Sequence, residues 1–379
     1  MISRVMIIAG EPSGDLHGAG LVRELKKRQP KLEVYGIGGE GMAGAGMELI
    51  YHIRELSFMG FAEVLKHLPT IRSVRTRLEE VLVRRKPDVL ILIDYPGFNL
   101  RFARRAKAHG VKIFYYISPQ VWAWGRGRVK RMKGLIDRMF VVFPFETEIY
   151  RQEKIPVDFV GHPLLEVLGS REKMNGFREK FGIATKKKLL GLFPGSRAQE
   201  VVRIFPVMAQ AASVLQNESG CEIAVGVAPN LGEDLYGQLL DVCSPNVRAE
   251  AIHLISGGTH DLMRHSDLAF VTSGTATLET ACFGTPMIVV YRTSFATYWI
   301  GRALIRLKNI ALVNIVAGRP IVPELIQADL TAERLVREAR RILQNEEVAE
   351  QMRSEFIKVR EKLGTPGASQ RVAEQVLSS

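Results

Sequence analysis

The chain has 379 residues, 46% of them hydrophobic and 24% charged, and a formal net charge of +12. That balance excludes whole-chain disorder, and three cysteines without a CxxC spacing exclude a disulfide-stapled mini-protein. The cysteine usage suits a reducing compartment, and at ~100–200 residues per domain the length points to two domains.

Membrane spanning needs ~20 consecutive apolar residues, and the runs present, such as Val89–Ile93, are far shorter. Val5–Ala9 is too brief for the core of a signal peptide and leads into a Gly-rich loop, so a soluble, non-exported protein is expected. Residues 1–165 carry 27 Lys+Arg against 17 Asp+Glu, whereas residues 166–379 carry 25 against 23. Between Lys66 and Arg138 there are 18 basic and 5 acidic side chains. The first half should therefore attract anions, namely phosphate, anionic lipid or nucleic acid, unless the charge serves only solubility.

In chain order, the predicted strands are Val5–Ala9, Val34–Gly38, Asp88–Asp94, Lys112–Ser118, Met139–Phe143 and Asp158–Gly161. A second series follows at Leu189–Phe193, Ile223–Ala228, Ile252–Ser256, Leu268–Thr272 and Met287–Tyr291. Short, continuous apolar runs separated by helical stretches indicate buried parallel strands with crossover helices, an α/β protein. Each series opens with a strand entering a Gly-containing loop and a helix, VMIIAGEPSGD and then LLGLFPGSRAQE. The polar stretch Pro163–Lys188 lies between them, so the predicted domains are 1–162 and 163–379. Helices are predicted at Ala332–Gln344, Val348–Leu363 and Pro366–Leu377, the last of which could pack back on the first domain. Two similar halves would bind ligands at the carboxyl ends of their strands.

Six segments could carry function. Gly10-Glu11-Pro12-Ser13-Gly14-Asp15 offers glycines for close backbone approach, Ser13 or Asp15 as a helix cap, and N–H groups at a helix start that attract phosphate or hydroxyl-rich ligands. It is neither a dinucleotide GxGxxG nor a Walker A loop. Asp94 ends an apolar strand before Tyr95-Pro96-Gly97-Phe98-Asn99; a carboxylate there could be a general base with a raised pKa, or a cap or partner for an Arg. Ser118-Pro119-Gln120-Val121-Trp122-Ala123-Trp124 precedes a basic helix, and at least one Trp is expected to be packing. Pro194-Gly195-Ser196-Arg197 puts a guanidinium at a helix start, suited to a diphosphate, and Thr272-Ser273-Gly274-Thr275-Ala276-Thr277-Leu278-Glu279 repeats the pattern. The amphipathic stretch Phe58–Leu68, flanked by Arg72, Arg75 and Arg77, reads as either an interfacial membrane patch or a core helix. No metal site is expected, since Asp-x-Asp and HExxH are both missing from the sequence.

The ordered set GEPSGD at 10–15, IDYPGFN at 93–99, SPQVWAW at 118–124, VGHP at 160–163, PGSR at 194–197, TSGTATLE at 272–279 and NIVAGR at 314–319 resembles the lipid-A-disaccharide synthases. The resemblance implies the GT-B fold, two Rossmann-like domains facing each other across a cleft, with C-terminal helices. It implies an inverting, metal-independent glycosyltransferase with no cofactor. UDP-2,3-diacylglucosamine would donate to 2,3-diacylglucosamine 1-phosphate (lipid X), giving a β-1,6-linked disaccharide phosphate and UDP. Such an enzyme would be cytoplasmic, peripheral on the anionic inner face of the inner membrane; nucleic acid is not an expected partner, and a homodimer stays open.

For this reaction Asp94 would take the proton from the acceptor hydroxyl, and Arg197 with the loops after Gly195 and Gly274 would stabilise departing UDP. Gly10, Glu11, Ser13, Gly14, Asp15 and Asn99 are expected to bind substrate, with Ser13 and nearby backbone N–H groups lining the acceptor side. Gly195, Ser196, Ser273, Gly274, Thr275, Glu279 and Asn314 are the expected UDP-side residues, with Glu279 and Asn314 on ribose or phosphate. Two other readings remain at this level: another GT-B protein handling UDP-N-acetylglucosamine, such as an epimerase, and a basic nucleic-acid- or membrane-binding module.

Overall fold

The computed structural model describes residues 2–55, 68–123, 127–170, 174–243, 252–294 and 309–379. Most of the Phe58–Leu68 patch (58–67) and Trp124 lie outside the described residues.

The chain forms two compact units, residues 1–170 with 363–379, and residues 171–362. The first holds strands β1 (Arg4–Ala9), β2 (Glu33–Gly38), β3 (Glu48–His52), β4 (Val89–Ile93), β5 (Lys112–Tyr116), β6 (Arg138–Val141) and β7 (Val157–Phe159). Its described helices are α1 (Pro12–Arg28), α2 (Glu40–Gly44), α3 (Leu68–Arg85), α4 (Pro96–Ala108), α5 (Gly127–Lys130), α6 (Pro144–Gln152) and α7 (Leu164–Ser170). The second unit holds β8 (Leu189–Phe193), β9 (Glu222–Gly226), β10 (Ile252–Ile255), β11 (Leu268–Thr272), β12 (Met287–Tyr291) and β13 (Glu324–Ile326). Its described helices are α8 (Phe177–Lys180), α9 (Ala198–Ser219), α10 (Glu233–Val242), α11 (Thr259–His265), α12 (Ala276–Cys282), α13 (Leu312–Ala317), α14 (Ala332–Leu343) and α15 (Glu346–Lys362). The last helix, α16 (Ala368–Leu377), returns to the first unit.

Every described strand pairing is parallel. The orders are β3-β2-β1-β4-β5-β6-β7 and β10-β9-β8-β11-β12-β13. Each is a doubly wound, Rossmann-like sheet whose strand order reverses beside its first strand, between β1 and β4 and between β8 and β11. The central strands are buried throughout because helices cover both faces, which is why they read as continuous apolar runs. The unforeseen strands, β3 and β13, are edge strands with one neighbour each. β13 has only three residues, and β3 is partly exposed, so neither leaves such a run. Among the described residues no helix is long and apolar enough to cross a membrane.

The chain leaves the first unit after Ser170, eight residues later than the boundary drawn at 162, because α7 is tied to α16. The Glu166 carboxylate accepts from the Ser369 amide and hydroxyl, both at 2.7 Å. Arg371 adds a bond from Nε to the Val160 carbonyl at 2.9 Å, and the His162 amide donates to the Leu363 carbonyl at 2.8 Å. Ser369 also lies against Gly20 of α1, where an added Cβ would meet its hydroxyl at 2.7 Å. Burial of Ser369 makes its donors expensive to strand. Glu166→Ala should destabilise the first unit by about 1–3 kcal/mol and speed amide hydrogen exchange across 368–377; unchanged exchange there would show that the closing helix is held by packing alone.

Candidate functional site

In the first unit the site grows from the reversal point. β1 and β4 pair with Ala9 opposite Ile93, so the loops at Gly10 and Asp94 emerge side by side. A Cβ on Gly10 would lie 2.2 Å from the Tyr95 ring, so only glycine lets that ring cover the loop. Helix α1 begins with Pro12 at its first position and an extended Glu11 as N-cap, ahead of both Ser13 and Asp15. Neither of the two caps it, contrary to the sequence expectation. Instead Asp15 accepts from the amides of Gly39 (2.7 Å), Gly41 (3.0 Å) and Met42 (3.0 Å), fixing the start of α2. Its acceptor capacity is largely spent on backbone, so this carboxylate is structural. Gly14 is buried where an added Cβ would meet the Ala9 side chain at 3.3 Å, while Ser13 is exposed.

Asp94 and Tyr95 are consecutive left-handed residues, with φ of 43° and 46°. Such backbone costs about 1–3 kcal/mol per residue unless its surroundings impose it. Here Asn99 Nδ2 donates to the carbonyls of Ile93 (3.2 Å) and Asp94 (2.7 Å), and the Tyr115 hydroxyl donates to the Asp94 carbonyl at 2.5 Å. The Asp94 amide donates to the Tyr116 carbonyl at 3.3 Å. The predicted strand Asp88–Asp94 therefore stops at Ile93, and Asn99 is buried as the brace of this turn rather than displayed to a ligand. Burial, and secondarily the Glu11 carboxylate, push the Asp94 carboxyl up to about 7, against a backbone hydrogen bond from Tyr95. Asp94 is only partly buried, so its carboxyl combines near-neutral basicity with access.

A polar cluster that the sequence did not assign sits on the neighbouring strand ends. Ile117, just after β5, is also left-handed (φ 62°), an outlier for a β-branched residue. Ser118 Oγ and Trp122 Nε1 donate to Glu146 Oε1 at 2.9 and 3.1 Å, and the Phe143 amide donates to Glu146 Oε2 at 3.2 Å. Tyr150 Oη donates to Ser118 Oγ at 3.0 Å. Burial pushes the Glu146 carboxyl up to about 7, opposed by these donors. Trp122 packs edge-on against Phe145, the packing role expected of one Trp. The signal that could have found Glu146 is its place three residues after Phe143, the capping-box spacing at the start of α6. Close by, burial and His17 hold His162 down to about 3, so its ring is neutral, with Nδ1 accepting from the Leu164 amide at 3.1 Å.

In the second unit the equivalent loops leave β8 and β11, paired with Phe193 opposite Val271. Gly195 has φ 118°, and a Cβ there would meet Glu200 Oε2 at 2.8 Å. Arg197 is the extended N-cap of the 22-residue helix α9, half-exposed, its guanidinium 3.0 Å from Glu200. Ser196 and Thr275 are exposed, and the Ser196 carbonyl accepts from Asn230 Nδ2 at 3.0 Å. Gly274 gives its carbonyl to Thr277 Oγ1 at 2.8 Å. Glu279 lies 3.4 Å from His260. Asn314 is fully buried, and its amide is spent. Nδ2 donates to the Val322 carbonyl and to Glu324, while Oδ1 accepts from the Ile321 and Val322 amides. That corrects its expected ribose or phosphate contact, because no donor or acceptor is left. Asn314 instead shapes a wall: Glu324 also accepts from the Ile310 amide, and the Ile310 carbonyl accepts from Ser273 Oγ at 3.0 Å. Among the described residues no group of three or more His, Cys, Asp and Glu comes together as a metal site.

The Asp94 shift has a stability consequence. Because the folded chain favours the protonated carboxyl, the contribution is complete below about pH 4 and is lost as the pH rises through about 7. Asp94→Asn should therefore be more stable than the parent at pH 8 by on the order of 1–2 kcal/mol, discounted for its partial exposure, with the gap narrowing below about pH 7 and closing near about pH 4. Thermal melts across that range check it; a constant gap would contradict the shift.

Comparison with known proteins agrees with the motif resemblance. A family model described as lipid-A-disaccharide synthetase matches residues 5–376. A lipid-A-disaccharide synthase from Syntrophus aciditrophicus is 44% identical over 99% of this chain and 97% of its own length. One from Geobacter sulfurreducens is 44% identical over 99% and 96%. Among solved structures, a UDP-N-acetylglucosamine 2-epimerase from Neisseria meningitidis bound to UDP-N-acetylglucosamine shares the fold, with a TM-score of 0.68, 15% identity and coverage of 99% and 100%. The glycosyltransferase of kitacinnamycin does so with a TM-score of 0.62, 15% identity and coverage of 99% and 98%. At that identity the structural likeness speaks for the GT-B architecture alone. Motifs, family model and full-length relatives agree, and the chain belongs to the lipid-A-disaccharide synthase family, glycosyltransferases of lipid A biosynthesis.

Proposed function

We propose that the chain transfers a 2,3-diacylglucosaminyl group from UDP to the 6-hydroxyl of 2,3-diacylglucosamine 1-phosphate, with inversion and without a metal. The observation that carries this reading is the Asp94 carboxyl. It is aimed by a strained turn at the reversal point of the first sheet and poised near neutrality. Inversion requires a base on the acceptor side, opposite the leaving group. As the acceptor oxygen attacks the anomeric carbon, its proton passes to Asp94, and the bond from that carbon to the UDP oxygen breaks. UDP departs with the electron pair. Arg197 and the first turn of α9 meet the charge that develops on it, with Ser273, Gly274 and Thr275 lining the second phosphate loop. Glu200 parks the guanidinium within reach of the Gly195 turn until a diphosphate competes for it.

Glu11 keeps its place on the acceptor side, since its charge helps hold the Asp94 proton affinity up. Glu279 supplies a carboxylate for a ribose hydroxyl, steadied by His260. The basic excess of residues 1–165 suits the acceptor phosphate and an anionic membrane surface, and supports a peripheral site of action on the cytoplasmic leaflet.

Turnover of the acylated donor and acceptor, followed by chromatography of the lipid product, tests the reading and separates it from epimerisation. Asp94→Asn should lose at least a hundredfold in kcat while UDP binding stays intact, and a chelator should leave the parent rate unchanged. For the parent, kcat/KM should fall on the acid side with a midpoint near the carboxyl's value of about 7, since only the ionised form accepts a proton. Turnover retained by Asp94→Asn removes the base. Arg197→Ala should weaken UDP and donor binding roughly tenfold or more by calorimetry; unchanged affinity places the diphosphate elsewhere.

A further inference from the structure

The proposed reaction leaves unused the most buried acidic side chain among the described residues, Glu146. Glu146 is 1% exposed, and the three donors that bind it are all neutral: a hydroxyl, an indole N–H and a backbone N–H. A glutamate that merely capped α6 could stay in water. Burying a carboxyl needs compensating bonds, and two of these reach away from α6 into the loop after β5. When ionised, the carboxylate accepts without donating, whereas a Gln would bring its own N–H groups against these donors.

The loop it grips continues β5, the strand that braces Asp94. Tyr150 donates to Ser118 Oγ, whose own proton is shared between Glu146 Oε1 at 2.9 Å and the Pro119 carbonyl at 3.0 Å. Ser118 follows the left-handed Ile117 directly, so pinning Ser118 keeps Ile117 in a conformation it would otherwise leave. The two residues before Ile117 make the contacts that matter. Tyr115 Oη donates to the Asp94 carbonyl, and the Tyr116 carbonyl accepts from the Asp94 amide. Three left-handed, non-glycine residues, Asp94, Tyr95 and Ile117, thus occupy neighbouring strand ends, and Glu146 is tied to the end of that segment.

We propose that Glu146 is a positioning residue for the transferase: by gripping Ser118 and Trp122 it fixes the β5 exit and, through it, the turn that presents the Asp94 carboxyl. The proposal rests on the reading of Asp94 as base. It assigns Glu146 no proton transfer, since its carboxyl is sealed among its own donors. The titratable groups that face Asp94 are Glu11 and Tyr115, and neither belongs to the Glu146 grip.

The test uses the full chain with UDP-2,3-diacylglucosamine and 2,3-diacylglucosamine 1-phosphate and, for binding, UDP or 2,3-diacylglucosamine 1-phosphate alone. Glu146→Gln should lower kcat tenfold or more, expressed per site for 2,3-diacylglucosamine 1-phosphate, while the donor KM and the UDP Kd stay within threefold. Its acid limb should also move to lower pH by half a unit or more, as a loosened turn admits water to Asp94. A purely structural role would lower the number of sites for 2,3-diacylglucosamine 1-phosphate, which the reading places on the first unit, without moving that limb. Trp122→Phe, which keeps a ring and removes the N–H, should lower kcat about threefold in the same sense, and it decides the matter if Glu146→Gln fails to fold. Unchanged kcat and acid limb in a folded Glu146→Gln, or an unchanged kcat in Trp122→Phe, overturns the proposal. Turnover lost in Asp94→Asn but untouched in Glu146→Gln overturns it alone, whereas turnover retained in Asp94→Asn overturns the base reading and this proposal together.

Discussion

Two left-handed residues in succession at the end of β4 set the terms for the first unit. A strand that simply ran on would carry Asp94 past the rim of the sheet into water, where its carboxyl would be fully ionised and weakly basic. The Asp94–Tyr95 turn bends it back over the β1 exit instead, and every nearby element contributes to holding it there. Gly10 makes room for the Tyr95 ring, Asn99 ties the Ile93 and Asp94 carbonyls to the start of α4, and Tyr115 adds a bond from β5. The strain is local and the compensation is spread over three elements, so the turn survives only while all three are in register. Basicity and access then follow from position: enough burial to raise the carboxyl toward neutrality, and enough opening to meet a substrate.

The second sheet solves a different problem with the same topology. Its reversal point carries Pro194–Arg197 and Ser273–Thr275, loops that offer a guanidinium and backbone rather than a base. The polar side chains around them are largely committed to one another. Arg197 rests on Glu200, Glu279 on His260, and Ser273 on a loop that Asn314 and Glu324 hold rigid. These loops are organised by their own contacts, the condition under which electrostatic stabilisation of the proposed leaving group would be strongest. On the reading proposed above, the first unit would supply acid–base chemistry and the second would meet the charge of the leaving group.

Much of this was legible in the amino-acid sequence, for a physical reason. Strands buried on both faces must be continuous apolar runs, so the eleven strands predicted from such runs are present, with ends displaced by a few residues. Strands β3 and β13 escaped notice because β3 is partly exposed and β13 has only three residues, so neither leaves such a run. Loops at the reversal points were legible through glycine, proline and small hydroxyl residues clustered after strands. What the sequence could not reveal is how a polar side chain spends its hydrogen bonds. Asp15 and Asn314 sit in ligand-like motifs yet hold only their own backbone, and Asn99 braces the turn it was expected to look out from. Glu146, in an unremarkable helix start, is buried and holds Ser118 and Trp122 in the loop after β5. Nor is the return of α16 to the first unit visible in local pattern, since it depends on Glu166 meeting Ser369 some two hundred residues later.

The central claim is that the fold itself, before any substrate binds, holds the Asp94 carboxyl near neutrality. A carbon-13 NMR titration of the free protein labelled at its aspartate carboxyls, with the Asp94 resonance assigned by its loss in Asp94→Asn, measures this directly. The account predicts a midpoint of about 7 for that resonance; a midpoint at the ordinary carboxyl value of about 4 would contradict it.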